Sequence, residues 1–367
     1  MLHSQWESHG LKMGIVRLLL ALAVVHGHAV GVGIIAPYTP SFRYLPVDPV
    51  TAVQMFFVIS GFYMGLVLSE KYRALDGWVG KFYLNRYTRL MPVYIVVVAL
   101  TFWIVGSPFN GIENNSWQNI VFKFSTLTLF GIEFTALYDI TSNAIQPAHG
   151  HLPVPQAWSL GVELWFYLLA PLIIQQSTRK ILAITVVILC LRVGISFAGH
   201  QHEFPWLQRI WILELYFFLL GILAYRAYAA FQVDQAPKER GYALALGCAV
   251  CFILFAGHVS GMEKWTPGNA LTVACVFAAL LPMIFSLTKN SVLDRWIGEF
   301  SYPLYLVHIL ILNAWAETAR SGFWAFAGLS ILASVPLVLL VEIPVDRWRQ
   351  RFFRRRPRQD LKLADAG

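Results

Sequence analysis

The chain is 367 residues long, 57% hydrophobic and 15% aromatic, with only 13% charged residues and a mean hydropathy of +0.58. Soluble domains run at roughly 45–50% apolar and about 25% charged, so this balance excludes one and indicates a polytopic membrane protein. The net charge of +8 fits topology anchoring on anionic lipid far better than nucleic-acid binding.

Ten apolar segments follow one another, at 13–35, 50–69, 88–106, 157–175, 180–198, 207–228, 242–258, 268–287, 299–316 and 323–344. Each is near the ~20 residues that a helix needs to cross a bilayer. The first begins after a polar N-terminus and is long enough to span, so it reads as a retained helix and not a cleaved signal. The stretch 117–133 is short and bracketed by Lys123 and Glu133, which predicts an interfacial or re-entrant helix. The expected fold is therefore an all-α bundle of about ten transmembrane helices over 1–345, followed by a basic tail at 346–367.

Lys and Arg set its orientation. With both termini inside, 22 of the 28 fall in inner segments and five in outer ones, leaving Arg192 within a span. That asymmetry places both termini in the cytoplasm. The four cysteines, Cys190, Cys248, Cys251 and Cys275, lie in apolar runs and read as small packing residues, Cys248-x-x-Cys251 included. No metal site is expected. The largest loop, 107–156, is placed outside and carries His149 and His151.

Ionisable groups inside a span cost roughly 2.5–3.5 kcal/mol each on the insertion scale, which makes them functional candidates. In the first span, Arg17 and His28 are eleven residues apart, about three helical turns plus 20°, and so share one face roughly 16 Å apart. His26 falls on the opposite face. In the second span, Ser60 and Gly61 lie near mid-membrane, where small residues let backbones approach. Arg86 and Arg89 stand one turn apart at the cytoplasmic entrance of the third, a spacing suited both to gripping phosphate and to anchoring the helix. The fourth opens on Trp158, and Ser159, Glu163 and Tyr167 recur every fourth residue as a polar stripe.

Counting about 1.5 Å per residue from each surface puts Glu163 and His28 at similar depths. The expectation is an imidazole and carboxylate pair, with the acid orienting the ring. Ser301, Tyr305 and His308 form a second stripe in the ninth span. Glu342 and Pro344 close the tenth.

Arg17 with His28, FFVISGF at 56–62, the Arg86, Arg89, Pro92 and Tyr94 set, WSLGVELWFY at 158–167, SYPLYLVH at 301–308 and Glu342-x-Pro344 occur together and in order. In this the chain resembles the integral-membrane acyltransferase 3 family of bacterial O-acyltransferases. Gln54 and Asn85 depart from it, standing where the family commonly has an acidic residue and an arginine.

The resemblance implies transfer of an acyl group, most often acetyl, from cytoplasmic acyl-CoA to a hydroxyl of a glycan or glycolipid acceptor, in the bacterial inner membrane. Acyl-CoA enters as a co-substrate, and no bound cofactor is implied. His28 and Glu163 are then the expected catalytic residues. Arg17, Arg86, Arg89, Ser60, Trp158, Ser159, Tyr167, Tyr305 and His308 are the expected substrate contacts. Two rival readings are a lipid or small glycoside acceptor, and a proton-coupled transporter using His28, Glu163 and His308, although the inverted repeats that transporters favour are not visible.

Overall fold

A computed structural model describes residues 13–31, 49–72, 77–107, 109, 117–135, 152–199, 206, 208–231, 267–314 and 322–352. The expected span at 242–258, Cys248, Cys251, His149, His151 and the tail beyond 352 lie outside them. Every described element is helical. In chain order these are α1 (Gly14–Gly31), α2 (Pro49–Val67), α3 (Trp78–Ile104), α4 (Trp117–Thr128), α5 (Trp158–Ile173), α6 (Thr178–Phe197), α7 (Trp211–Ala230), α8 (Pro267–Thr288), α9 (Val292–Glu299), α10 (Ser301–Ala314), α11 (Phe323–Leu337) and α12 (Ile343–Phe352). Single π-helical turns at Leu68–Tyr72 and Val338–Glu342 extend α2 and join α11 to α12.

Among the described residues, seven helical stretches are long and apolar enough to cross a membrane. The apolar part of α1, Gly14–Val30, is shorter, and α5 runs only 16 residues. The chain is a multi-pass helical membrane protein.

Aliphatic side chains of α6 such as Leu182, Val187 and Leu191 point outward, as expected of a helix facing lipid. By contrast, α2 and α7 are largely buried and form the centre. They cross where both lack a side chain: a Cβ on Gly61 would lie 2.0 Å from the Phe218 carbonyl oxygen, and one on Gly221 would lie 2.0 Å from that of Val58. Close approach between small residues supplies the packing that hydrophobic exclusion cannot supply in lipid. Phe218 then stacks between Phe57 and Phe166, at centroid distances of 4.6 and 4.1 Å.

Arg192 does not face lipid. Its Nη1 lies 3.4 Å from Glu214 Oε1 on α7 and donates to the Leu213 carbonyl at 3.0 Å. The start of α1 is fixed from the other end of the chain: Asp294 accepts hydrogen bonds from the backbone N–H groups of Gly14 at 2.7 Å and Ile15 at 3.0 Å. A carboxylate there satisfies orphan donors and complements the helix dipole.

The helix expected at 117–133 forms as α4, followed by a 3-10 turn at Ile132–Phe134. The Tyr94 hydroxyl donates to the Thr126 carbonyl and ties it to α3.

Candidate active site

A cavity of about 800 Å³, open mouth included, runs between α1, α2, α3, α5 and α10. Arg17, Arg86 and Arg89 line it, as do Ser60, Ser159, Glu163, Tyr167 and Tyr305. With Ser301, nine residues singled out by sequence pattern on five helices therefore share one space.

Glu163 sits in the wall of this cavity. Its Oε1 accepts hydrogen bonds from the Ser60 hydroxyl and the Tyr167 hydroxyl, both at 2.5 Å. Ser60 is thus more than a packing residue: while Gly61 admits α7, its neighbour turns toward α5. The polar stripe on α5 is real, and Ser159 continues it, with Oγ 2.8 Å from the Tyr305 hydroxyl. The Gln156 carbonyl accepts from both hydroxyls, and Gln156 Nε2 donates to the carbonyls of Tyr305 and Leu306. The short turn Pro155–Ala157 thereby docks α5 onto α10.

The expected pairing of His28 with Glu163 is not what the structure shows. His28 meets His308: His28 Nδ1 and His308 Nε2 are 3.1 Å apart. Counting residues along single helices cannot choose among polar groups on several helices, and α10 packs against the His28 face of α1. The two rings also fix their tautomers. His308 Nδ1 lies 3.2 Å from the Leu304 carbonyl, four residues back, so it carries the proton and leaves Nε2 as an acceptor. His28 Nδ1 then carries a proton shared between His308 Nε2 and the Val24 carbonyl at 3.0 Å. The consequence is a bare lone pair on His28 Nε2.

His308 is fully buried and its ring centroid lies 6.2 Å from that of Tyr305, which places the pair beside the cavity. His26 faces elsewhere, edge-on to Phe323 of α11 at 5.0 Å, as its opposite phase demands. Trp158 also lies outside the lining: it stands edge-on to Phe57 at 6.5 Å, with the Arg209 guanidinium 5.3 Å above its ring.

Pattern reading missed several lining residues. Tyr63 and Tyr302 face the cavity, and the Tyr302 hydroxyl donates to the Leu90 carbonyl at 2.6 Å, joining α10 to α3. Tyr63 lies one turn beyond Ser60, and helical spacing from that residue would have found it. Glu299 acts electrostatically on both Arg17 and Arg89, and Glu342 acts on Arg89. Among the described residues, no group of three or more His, Cys, Asp or Glu is placed to hold a metal ion.

Residues 12–343 match the family model described as an acyltransferase domain. Nodulation protein 10 of Rhizobium leguminosarum bv. viciae is 24% identical over 370 residues, covering 95% of this chain and 97% of its own. An uncharacterized protein of Haemophilus influenzae is 25% identical over 260 residues, 65% of this chain and 100% of its own. The O-acetyltransferase OatA of Staphylococcus aureus is 25% identical over 290 residues, covering 71% of this chain but only 45% of OatA. No solved structure matches. A helical membrane bundle, a cavity lined by residues of the ordered motifs, and a family match across nearly the whole chain agree, and the chain belongs to the acyltransferase 3 family of membrane acyltransferases.

Proposed function

We propose that the protein moves an acyl group, acetyl in the simplest case, from acyl-CoA on the cytoplasmic side to a hydroxyl of a glycan or glycolipid acceptor on the outer side. One observation carries this reading: a single cavity has arginines in its wall, and a histidine pair with a bare Nε2 stands beside its Tyr305. The name of OatA, an O-acetyltransferase, supports the class of reaction. With both termini inside, the orientation that the Lys and Arg asymmetry favours, these cations stand toward the side from which CoA would enter.

His28 Nε2 takes the proton of the acceptor hydroxyl as the oxygen attacks the thioester carbonyl. The C–S bond then breaks, and the CoA thiolate leaves with the proton that the imidazolium returns. A thioester is already activated, and positioned general-base catalysis is worth about 10²–10⁴-fold.

His308 supplies the acceptor that holds the Nδ1–H tautomer of His28, the orienting role first expected of Glu163. Glu163 instead fixes the cavity wall with Ser60 and Tyr167. Arg86 and Arg89 take phosphates of the donor, Arg17 in the first turn of α1 balances charge beside them, and Ser159 and Tyr305 stand toward the acceptor.

Purified protein in nanodiscs, given acetyl-CoA and extracted surface glycan, is expected to release free CoA. His28→Ala should reduce the rate at least a hundredfold, and His26→Ala should leave it within about threefold. Normal turnover by His28→Ala would overturn the assignment of the base. Mass spectrometry of the glycan reads the acceptor and the acyl group together.

A further inference from the structure

Cations gather at the Arg86 end of the cavity, and one arrives from the far end of the chain. Arg349 on α12 is 9% exposed, and its Nε–H donates to Oδ1 of Asn85 at 2.8 Å. Asn85 in turn donates from Nδ2 to the Tyr72 hydroxyl. Arg349 Nη2 lies 3.3 Å from Asp346 Oδ1. Asn85 and Asp346 therefore hold the guanidinium by two of its three nitrogens, and Nη1 makes no hydrogen bond among the described residues.

Arg349 interacts electrostatically with Arg86 and Arg89, and Lys71 interacts with Arg86 and Arg349. Arg86 is 7% exposed and lines the cavity, and its Nε is buried with no hydrogen-bond partner among the described residues. The acids near this group are Asp346, Glu342 and Glu299. Like charges at close quarters repel strongly when water is scarce, and an arginine with unfilled donors in a cavity wall calls for an anion.

The cations fall into two ranks. Arg86 and Arg89 line the cavity, whereas Arg349 and Lys71 stand outside its lining. Coenzyme A carries phosphate in the same arrangement: a diphosphate next to the pantetheine arm and, farther out, an isolated 3′-phosphomonoester of charge about −1.5 to −2 near neutral pH. We propose that Arg349, aimed by Asn85 and assisted by Lys71, binds that 3′-phosphate, while Arg86 and Arg89 take the diphosphate.

This assignment rests on acyl-CoA being the donor, and one binding experiment separates the two claims. CoA and 3′-dephospho-CoA are titrated against the full chain in nanodiscs. Wild type should bind CoA at least tenfold more tightly than dephospho-CoA. R349Q should bind both within about threefold of each other while keeping wild-type affinity for dephospho-CoA, which shows that the variant is folded. R86Q should weaken both ligands alike and retain the preference.

A wild-type protein that binds both equally, or an R349Q variant that keeps the tenfold preference, overturns the role of Arg349 and leaves the donor intact. A wild-type protein that binds neither overturns the donor, and this inference with it. If R349Q binds neither ligand, K71Q decides: a preference reduced at least threefold upholds the site, and an unchanged one removes it.

Discussion

Glu133 shows how a single buried acid ties this protein to pH. It is 2% exposed, with Oε1 accepting from the Trp165 indole N–H, and Oε2 without a hydrogen-bond partner among the described residues. Burial pushes its carboxyl from 4.5 up to about 7. Because the folded state holds this proton more tightly than the unfolded state does, stability is complete below about pH 4.5 and declines as pH rises toward 7, by on the order of 3 kcal/mol. Thermal midpoints in nanodiscs should therefore fall between pH 5 and pH 8, and Glu133→Gln should make that slope shallower. An unaltered slope in the variant would assign the dependence to another group.

Also at this scale, Ser60 and Tyr167 grip one carboxylate oxygen. A hydrogen bond to a charged acceptor is worth about 1.5–3 kcal/mol, so Ser60→Ala and Tyr167→Phe should each destabilise by that order. Since they share Glu163, a double-mutant cycle should show coupling above about 0.5 kcal/mol. Simple additivity would mean that the carboxylate finds other partners.

At the scale of helices, the crossing of α2 and α7 leaves no room for a methyl group. Gly61→Ala and Gly221→Ala should each cost several kcal/mol, because backbone and not a pliable side chain blocks the new Cβ. Gly194 on α6 is the control: nothing lies within 4 Å of its Cβ position, and alanine there should gain about 0.5–1 kcal/mol of helix propensity. Denaturation of the three variants in one detergent gives the comparison.

The helices themselves were legible from run length, and the cavity-facing stripes from spacing of three and four. What periodicity cannot give is the partner across an interface. It places Glu163 and His28 at one depth, yet the structure spends Glu163 on Ser60 and gives His28 to His308, 280 residues along the chain. Asn85 is the same case: its partner Arg349 is 264 residues away, in a helix that reads from sequence as the start of a basic tail.

For the whole molecule, charge remains the decisive organising term. Residue by residue, Arg192 looked like a breach of the membrane rule, and the structure resolves it with Glu214. Removing one member of such a buried pair costs about 3–5 kcal/mol, while replacing both by apolar residues is often tolerated. Glu214→Leu should accordingly expose Arg192 and lower folded yield sharply, with Arg192→Leu restoring much of it. Single cysteines placed in 353–367 should label with an impermeant maleimide only after spheroplasts are opened. Labelling in intact spheroplasts would reverse the assigned sidedness and move CoA entry to the other face.

The carboxylate of Asp294 at the start of α1 has a consequence for how the chain is made. Translation delivers α1 long before the group that caps it and the ring that holds His28, which emerge some 280 residues later. α2 is available to pack on α1 early, yet the cap of α1 and the partner of His28 come only with α9 and α10, so the site is completed late.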